Sequence, residues 1–261
     1  RALLIASQRG WDGPESALAE TSGWLNAPGR WQLQGGNSDY NDQRLIAVQF
    51  TSALATLVDV NGPDDAAATA LRTAAATLAE LQFPDGSWAF EVEGQIGSPI
   101  GYGRPLMTVV ARNTLAKADA ELFALHVSRA DKWLRQAEPR TVLNAAAVLW
   151  GVAEMNNSAQ QHRLDPLREI IRRGRSGRGG WGPYAISPPE PFDTAVVILA
   201  LSRLEPSDET GQWIAGGRRF LEATQLPSGA WPATTRPPGI ESYPQKLSTT
   251  AWATLALIST E

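Results

Sequence analysis

Stretches of this chain that are apolar nearly all round run at Leu45–Val60, Pro105–Ala118, Thr141–Met155, Asp193–Leu204 and Thr249–Ile258. They are rich in small residues and long enough for helices, and a helix without a polar face is one buried on every side. Between them lie segments in which apolar residues recur at helical spacing but share the surface with Arg and Glu, as in Ala66–Leu81 and Gly216–Thr224. These predict amphipathic helices packed outside the first set. Asp193 and Thr249 stand where N-caps are expected, because a short side-chain oxygen there accepts from a free first-turn N–H.

The two classes alternate in register with an internal repeat. Thr77-Leu78-Ala79-Glu80-Leu81-Gln82-Phe83-Pro84-Asp85-Gly86-Ser87-Trp88 matches Phe220-Leu221-Glu222-Ala223-Thr224-Gln225-Leu226-Pro227-Ser228-Gly229-Ala230-Trp231. Weaker copies end in Gly179-Gly180-Trp181 and Gly29-Arg30-Trp31, and Trp133-Leu134-Arg135-Gln136 reads as a copy without its Gly-x-Trp. The spacing is about 45–55 residues, in the range of helical pairs and of propeller blades. A helical segment on each side of every Gly-x-Trp decides for pairs. The expectation is an all-α fold, an α/α toroid of about five outer/inner hairpins in a closed or partly open ring. It places one domain over 1–261, with hairpins at 1–60, 66–118, 119–155, 160–204 and 211–258.

Composition narrows the chemistry more than the fold. With 261 residues, 43% hydrophobic and 19% charged, the chain is an ordinary globular one. A net charge of −4 offers nothing global to nucleic acid. The absence of Cys removes disulfides, thiolate metal sites, Cys nucleophiles and thioesters. No apolar run approaches the ~18–20 residues of a membrane span. The chain starts at Arg1 without Met, which leaves flanking domains and the compartment open.

The stretch Arg218-Arg219-Phe220-Leu221, Gln225 and Gly229-x-Trp231 resembles the QW motif of squalene and terpene cyclases. Asp193-Thr194-Ala195-Val196-Val197 and Thr249-Thr250-Ala251-Trp252-Ala253 resemble inner-helix starts of the same superfamily, which includes protein prenyltransferases. The resemblance implies structural roles for these motifs, with Gln capping helix ends and Trp stacking on the neighbouring repeat. Trp150 and Trp252 fall within inner helices, where core packing is expected.

It also implies where an acid would stand. In acid-initiated cyclases of this superfamily an Asp-x-Asp-Asp run leads into Thr-Ala, and its central Asp protonates the alkene or epoxide. Here Glu190-Pro191-Phe192-Asp193 precedes Thr194-Ala195. Glu190 takes the first acidic place, Asp193 the last, and Phe192 the donor's. A phenyl ring cannot donate a proton, so the resemblance implies a domain without the standard reaction, with Glu190 and Asp193 as the catalytic candidates. A prenyltransferase-type zinc site needs Cys and cannot be built from His126 and His162. No metal and no cofactor are expected.

A separate pattern points to binding. The four tyrosines, Tyr40, Tyr102, Tyr184 and Tyr243, all fall between a Gly-x-Trp and the next apolar helix. Prolines crowd the same connections and stiffen them. Charged residues join them, among them Asp39, Asp42, Glu91, Glu93, Arg236 and Glu241. Such loops suit a ligand site at the mouth of a ring, with Tyr40, Tyr102, Tyr184, Tyr243, Glu190, Phe192 and Glu241 as ligand-binding candidates. Bracing of long loops explains the same residues. A run of arginines from Arg163 to Arg178 reads as a helix C-terminus or as a polyanion site. Three functions stay open: an isoprenoid-binding cyclase relative, a non-catalytic protein- or glycan-binding module, and a carbohydrate-active enzyme using Glu190 with Glu241 or Asp39.

Overall fold

The computed structural model of the chain describes residues 1–33, 43–62, 64–90, 96–155, 161–236, 239 and 241–261. Its elements in chain order are α1 (Ala2–Gln8), α2 (Glu15–Leu25), a 3₁₀ turn (Pro28–Leu33), α3 (Gln43–Asn61), α4 (Asp65–Glu80), α5 (Arg104–Ala118) and α6 (Ala124–Gln136). There follow α7 (Val142–Ala153), α8 (Gln161–Arg173), α9 (Pro191–Leu201), α10 (Asp208–Thr224) and α11 (Tyr243–Ser259). No strand is present among the described residues. No described helix is long and apolar enough to cross a membrane.

The chain divides into two compact units. The first holds Arg1–Phe90 and Val110–Trp133; the second holds Glu91–Val109 and Leu134–Glu261. In the first, α3 packs along α4, with α1 and α2 against α3. Trp24, Trp31 and Phe50 meet there, with ring centroids 4.9–6.2 Å apart. In the second, α9 packs against α7, α10 and α11, and α8 lies on α7. Every residue of α9 is buried, as is nearly all of α7, and this is what their lack of a polar face predicts.

Each clear copy of the repeated turn is built alike. Trp88 Nε1 donates to the Leu78 carbonyl, Trp181 Nε1 to Ile171 and Trp231 Nε1 to Leu221, at 2.8–2.9 Å. The acceptor is always ten residues upstream, in the helix that the turn closes, where the last carbonyls have no intrahelical partner. The Trp therefore seals the end of its own helix from inside the core. The Gln closes the turn instead: Gln82 Nε2 donates to Gly86 O and Gln225 Nε2 to Gly229 O. Gln82 also donates to the His126 carbonyl at 2.9 Å and so reaches the start of α6. His126 is a packing residue, its Nδ1 2.9 Å from Gln82 Oε1.

The glycine two before each of these tryptophans has positive φ, +98° at Gly86, +94° at Gly179 and +81° at Gly229. A Cβ at Gly179 would stand 2.5 Å from Gly216 O in α10, so the turn needs glycine for its conformation and its close approach. The copy at Trp31 lacks this geometry. Its indole N–H is buried without a partner, and the ring packs on Trp24 and Phe50.

Both expected caps are displaced. Glu190 is the N-cap residue of α9, with Pro191 next, so Asp193 lies inside the first turn. Proline's fixed φ suits the first helical position and draws the start upstream. Thr249 lies well inside α11, whose N-cap is Ser242 in a capping box with Gln245. The threonines hold the turns instead. Thr194 Oγ1 accepts from Trp181 N at 2.9 Å, Thr249 Oγ1 from Thr234 N at 3.1 Å, and Thr250 Oγ1 from Trp231 N at 3.2 Å.

Candidate functional site

The second unit brings four aromatic side chains from four chain segments together. Trp252 of α11 is the hub. Tyr102 stands 5.3 Å from it, Phe192 of α9 5.9 Å and Trp150 of α7 6.4 Å between ring centroids, each close to edge-to-face. That is the arrangement aromatic quadrupoles favour. All four are buried. Tyr102 reaches the cluster with φ +65°, a conformation that a bulky residue adopts only when its surroundings impose it. The loop around it is tight. Tyr102 N donates to Ser98 O at 2.8 Å, and Gly97 lies so close to Tyr102 O that no Cβ fits.

Beside this cluster lies the charge centre. Asp193 is wholly buried, and its Oδ2 accepts from Arg236 Nη2. The same nitrogen donates to Glu190 Oε2 at 2.9 Å, while Arg236 Nη1 donates to the Gly97 carbonyl. The Arg236 side chain is 8% exposed, and its guanidinium lies 5.9 Å from the Phe192 ring centroid. One guanidinium thus ties the 96–103 segment, the 231–236 segment and the start of α9. Asp193 Oδ1 is buried without a protein partner. Burial pushes the Asp193 carboxyl up to about 7; Arg236 opposes the rise and Glu190 adds to it. A buried carboxyl that changes charge near neutral pH is chemically poised, and such groups concentrate at functional sites.

The other expected site residues scatter. Tyr184 is half exposed in the 182–190 connection, and Tyr243 is largely exposed as the first residue of α11 rather than part of the loop before it. Glu241 pairs with Lys246 at 3.4 Å, so Glu190 and Glu241 each serve a different cation. Tyr40, with Asp39, Asp42, Glu91 and Glu93, lies outside the described residues. The arginine run is largely paired: Arg168 meets Glu209 at 3.0 Å, and Arg172 and Arg173 both meet Glu169 at 2.6 Å. Those two hydrogen bonds hold Glu169 down at about 2. The first unit has a cavity of about 210 Å³ between the 3₁₀ turn, α3 and α4; its described lining includes Trp31, Ile46 and Thr51 and, among the described residues, no titratable group.

Arg236 is the residue that sequence reasoning undervalued. In the sequence it is one loop charge among several, and its pairing with Asp193, 43 residues away, is made only by the fold.

Similarity to known proteins follows the fold rather than the sequence. No protein-family model matches the chain, and no curated protein does. The structure of the type II terpene cyclase MstE from Scytonema (apo) superposes with a TM-score of 0.63 over 99% of this chain and 86% of that one, at 16% identity. The chain has the all-α, α/α-toroid fold of a terpene cyclase. A structure of a protein from Actinoplanes covers 92% of this chain and 99% of its own at 15% identity, with a TM-score of 0.41.

Proposed function

We propose that this chain is a cyclase-like repeat domain that binds an isoprenoid or similarly apolar ligand against Tyr102, Trp150, Phe192 and Trp252. In this reading it works as a single repeat domain and lacks the standard acid-initiated reaction. The observation that carries the proposal is the convergence of three aromatic rings on Trp252 beside the buried Asp193. Aromatic faces suit polyene chains, through apolar burial and through the negative potential of the ring face. The terpene-cyclase fold favours the same ligand class. The absence of the standard reaction rests on Phe192 at the donor's place and on the occupation of Asp193 by Arg236. In its ionised form, paired with Arg236, Asp193 accepts hydrogen bonds and donates none.

The test is thermal unfolding against isoprenoids, such as squalene and geranylgeraniol, and against oligosaccharides. A ligand at ~100 times its Kd adds about 2.7 kcal/mol of stability. The expected result is a raised melting temperature with the isoprenoids alone, without formation of cyclised product. Stabilisation by oligosaccharides alone moves the assignment to a glycan site. No stabilisation by either panel refutes the ligand class.

A further inference from the structure

We infer that Arg236 is a proton-controlled latch over the aromatic cluster: it ties the 96–103 and 231–236 segments to the start of α9, and protonation of Asp193 loosens it. This inference concerns the regulation of the proposed ligand site and rests on that reading.

The geometry supplies the latch. Three chain segments meet on one guanidinium through Asp193 Oδ2, Glu190 Oε2 and the Gly97 carbonyl, and its side chain is almost wholly buried. Two further bonds run alongside. Ser248 Oγ donates to Pro99 O, and Thr234 N donates to Thr249 Oγ1. These are neutral and weaker than the charge-assisted set. The aromatic rings lie beneath the latched segments, since Tyr102 belongs to one of them and Phe192 lies below the guanidinium itself. A ligand reaches Trp252 when these segments part.

Asp193 makes the latch responsive to protons. The charges that act on it are Arg236 from the 231–236 segment and Glu190 from its own helix. The α7 helix has no charged residue in its sequence, and α11 has only Lys246, which is paired with Glu241. On α10, Glu209 pairs with Arg168 and Arg218 with Glu222 and the Leu257 carbonyl, and neither these nor Asp208 and Arg219 act on Asp193. The 96–103 segment meets Arg236 through a backbone carbonyl. The orphaned Oδ1 gives an arriving proton a place to sit without breaking an existing hydrogen bond. Burial has already raised this carboxyl to about 7 against the opposing pull of Arg236. Every residue of α9 is buried, so withdrawal of Arg236 removes that pull while the burial persists. The proton is then held more tightly in the unlatched state, and acidification favours that state, leaving Arg236 with Glu190 and Gly97. Glu190 is 35% exposed on its side chain, so its hold on Arg236 is weakened by solvent.

Amide hydrogen exchange of the full chain without ligand tests this. The reporters are Thr234 N–H and Tyr102 N–H on the latched segments, with Phe83 N–H, which donates to Ser87 O in the first unit, as control. After correction for intrinsic rates, Thr234 and Tyr102 are expected to exchange about tenfold faster at pH 5.5 than at pH 8, the loss of one charge-assisted hydrogen bond. Phe83 is expected to be unchanged. Asp193→Asn is expected to exchange fast at both pH values, and Glu190→Gln to keep the pH response. Should Asp193→Asn not fold, Arg236→Met serves, with fast exchange at both. Equal protection of the wild type at the two pH values overturns the latch, as does a pH response that survives in Asp193→Asn or in Arg236→Met. Exchange needs no ligand, so a failed latch leaves the isoprenoid reading to its own thermal test, and the reverse.

Discussion

Replacing Trp181 by Ala is expected to lower the unfolding free energy by at least about 4 kcal/mol, the upper range for a buried aromatic. The ring is wholly buried, and a Cβ at Gly217 would stand 2.9 Å from it, so α10 is fitted against it. Truncation leaves a cavity between rigid helices and removes the Trp181 Nε1 bond to the Ile171 carbonyl, which keeps its bond from Gly174 N at 3.2 Å. Loss of one such hydrogen bond adds about 1 kcal/mol. Trp181→Phe separates the two contributions, because it fills most of the volume and loses only the N–H. Its expected cost is about 1 kcal/mol. Urea unfolding of both variants checks this, and a loss below about 1 kcal/mol for Trp181→Ala would show that the indole does not close α8.

The second large effect is on pH. Asp193 has its usual value of 3.8 raised to about 7 by burial, so the folded state holds its proton more tightly than the unfolded chain does. A raised carboxyl contributes stability that is complete below about pH 4 and disappears as the pH rises through 7. Between pH 5 and pH 8 the protein is expected to lose roughly 2–3 kcal/mol from this group. Asp193→Asn removes that slope. Denaturant midpoints at the two pH values measure it, and a wild type as stable at pH 8 as at pH 5 contradicts the burial argument. Global stability and the latch respond in opposite senses: acid strengthens the fold while loosening the segments held by Arg236. A general loosening in acid therefore cannot pass for release of the latch.

The helices were legible because burial on all sides leaves no alternative to an apolar composition, and α7 and α9 follow their predicted segments closely. The repeat was legible as spacing, and its physical meaning came with the structure. The tryptophan caps its own helix ten residues upstream, while glutamine closes the turn. The start of α11 was not legible because its capping box, Ser242 with Gln245, sits inside a proline-rich stretch that reads as loop. The site was half legible. The sequence marks Phe192, Asp193, Glu190 and Tyr102 and gives Trp252 only a place in an inner helix, where core packing is expected. Arg236 carried no local signal, because its role depends on a partner 43 residues away. Of the three described tyrosines, Tyr102 joins the cluster, while Tyr184 and Tyr243 lie at the surface.

Equilibrium binding of radiolabelled geranylgeraniol to the wild type and to Trp252→Leu, which keeps an apolar side chain at the hub, tests directly whether the rings around Trp252 receive an isoprenoid. Saturable binding to the wild type is expected, with at least about tenfold weaker binding to the variant, since loss of the ring removes more than about 1.4 kcal/mol of contact. Equal affinity in a folded Trp252→Leu protein, or no binding to the wild type, contradicts that reading.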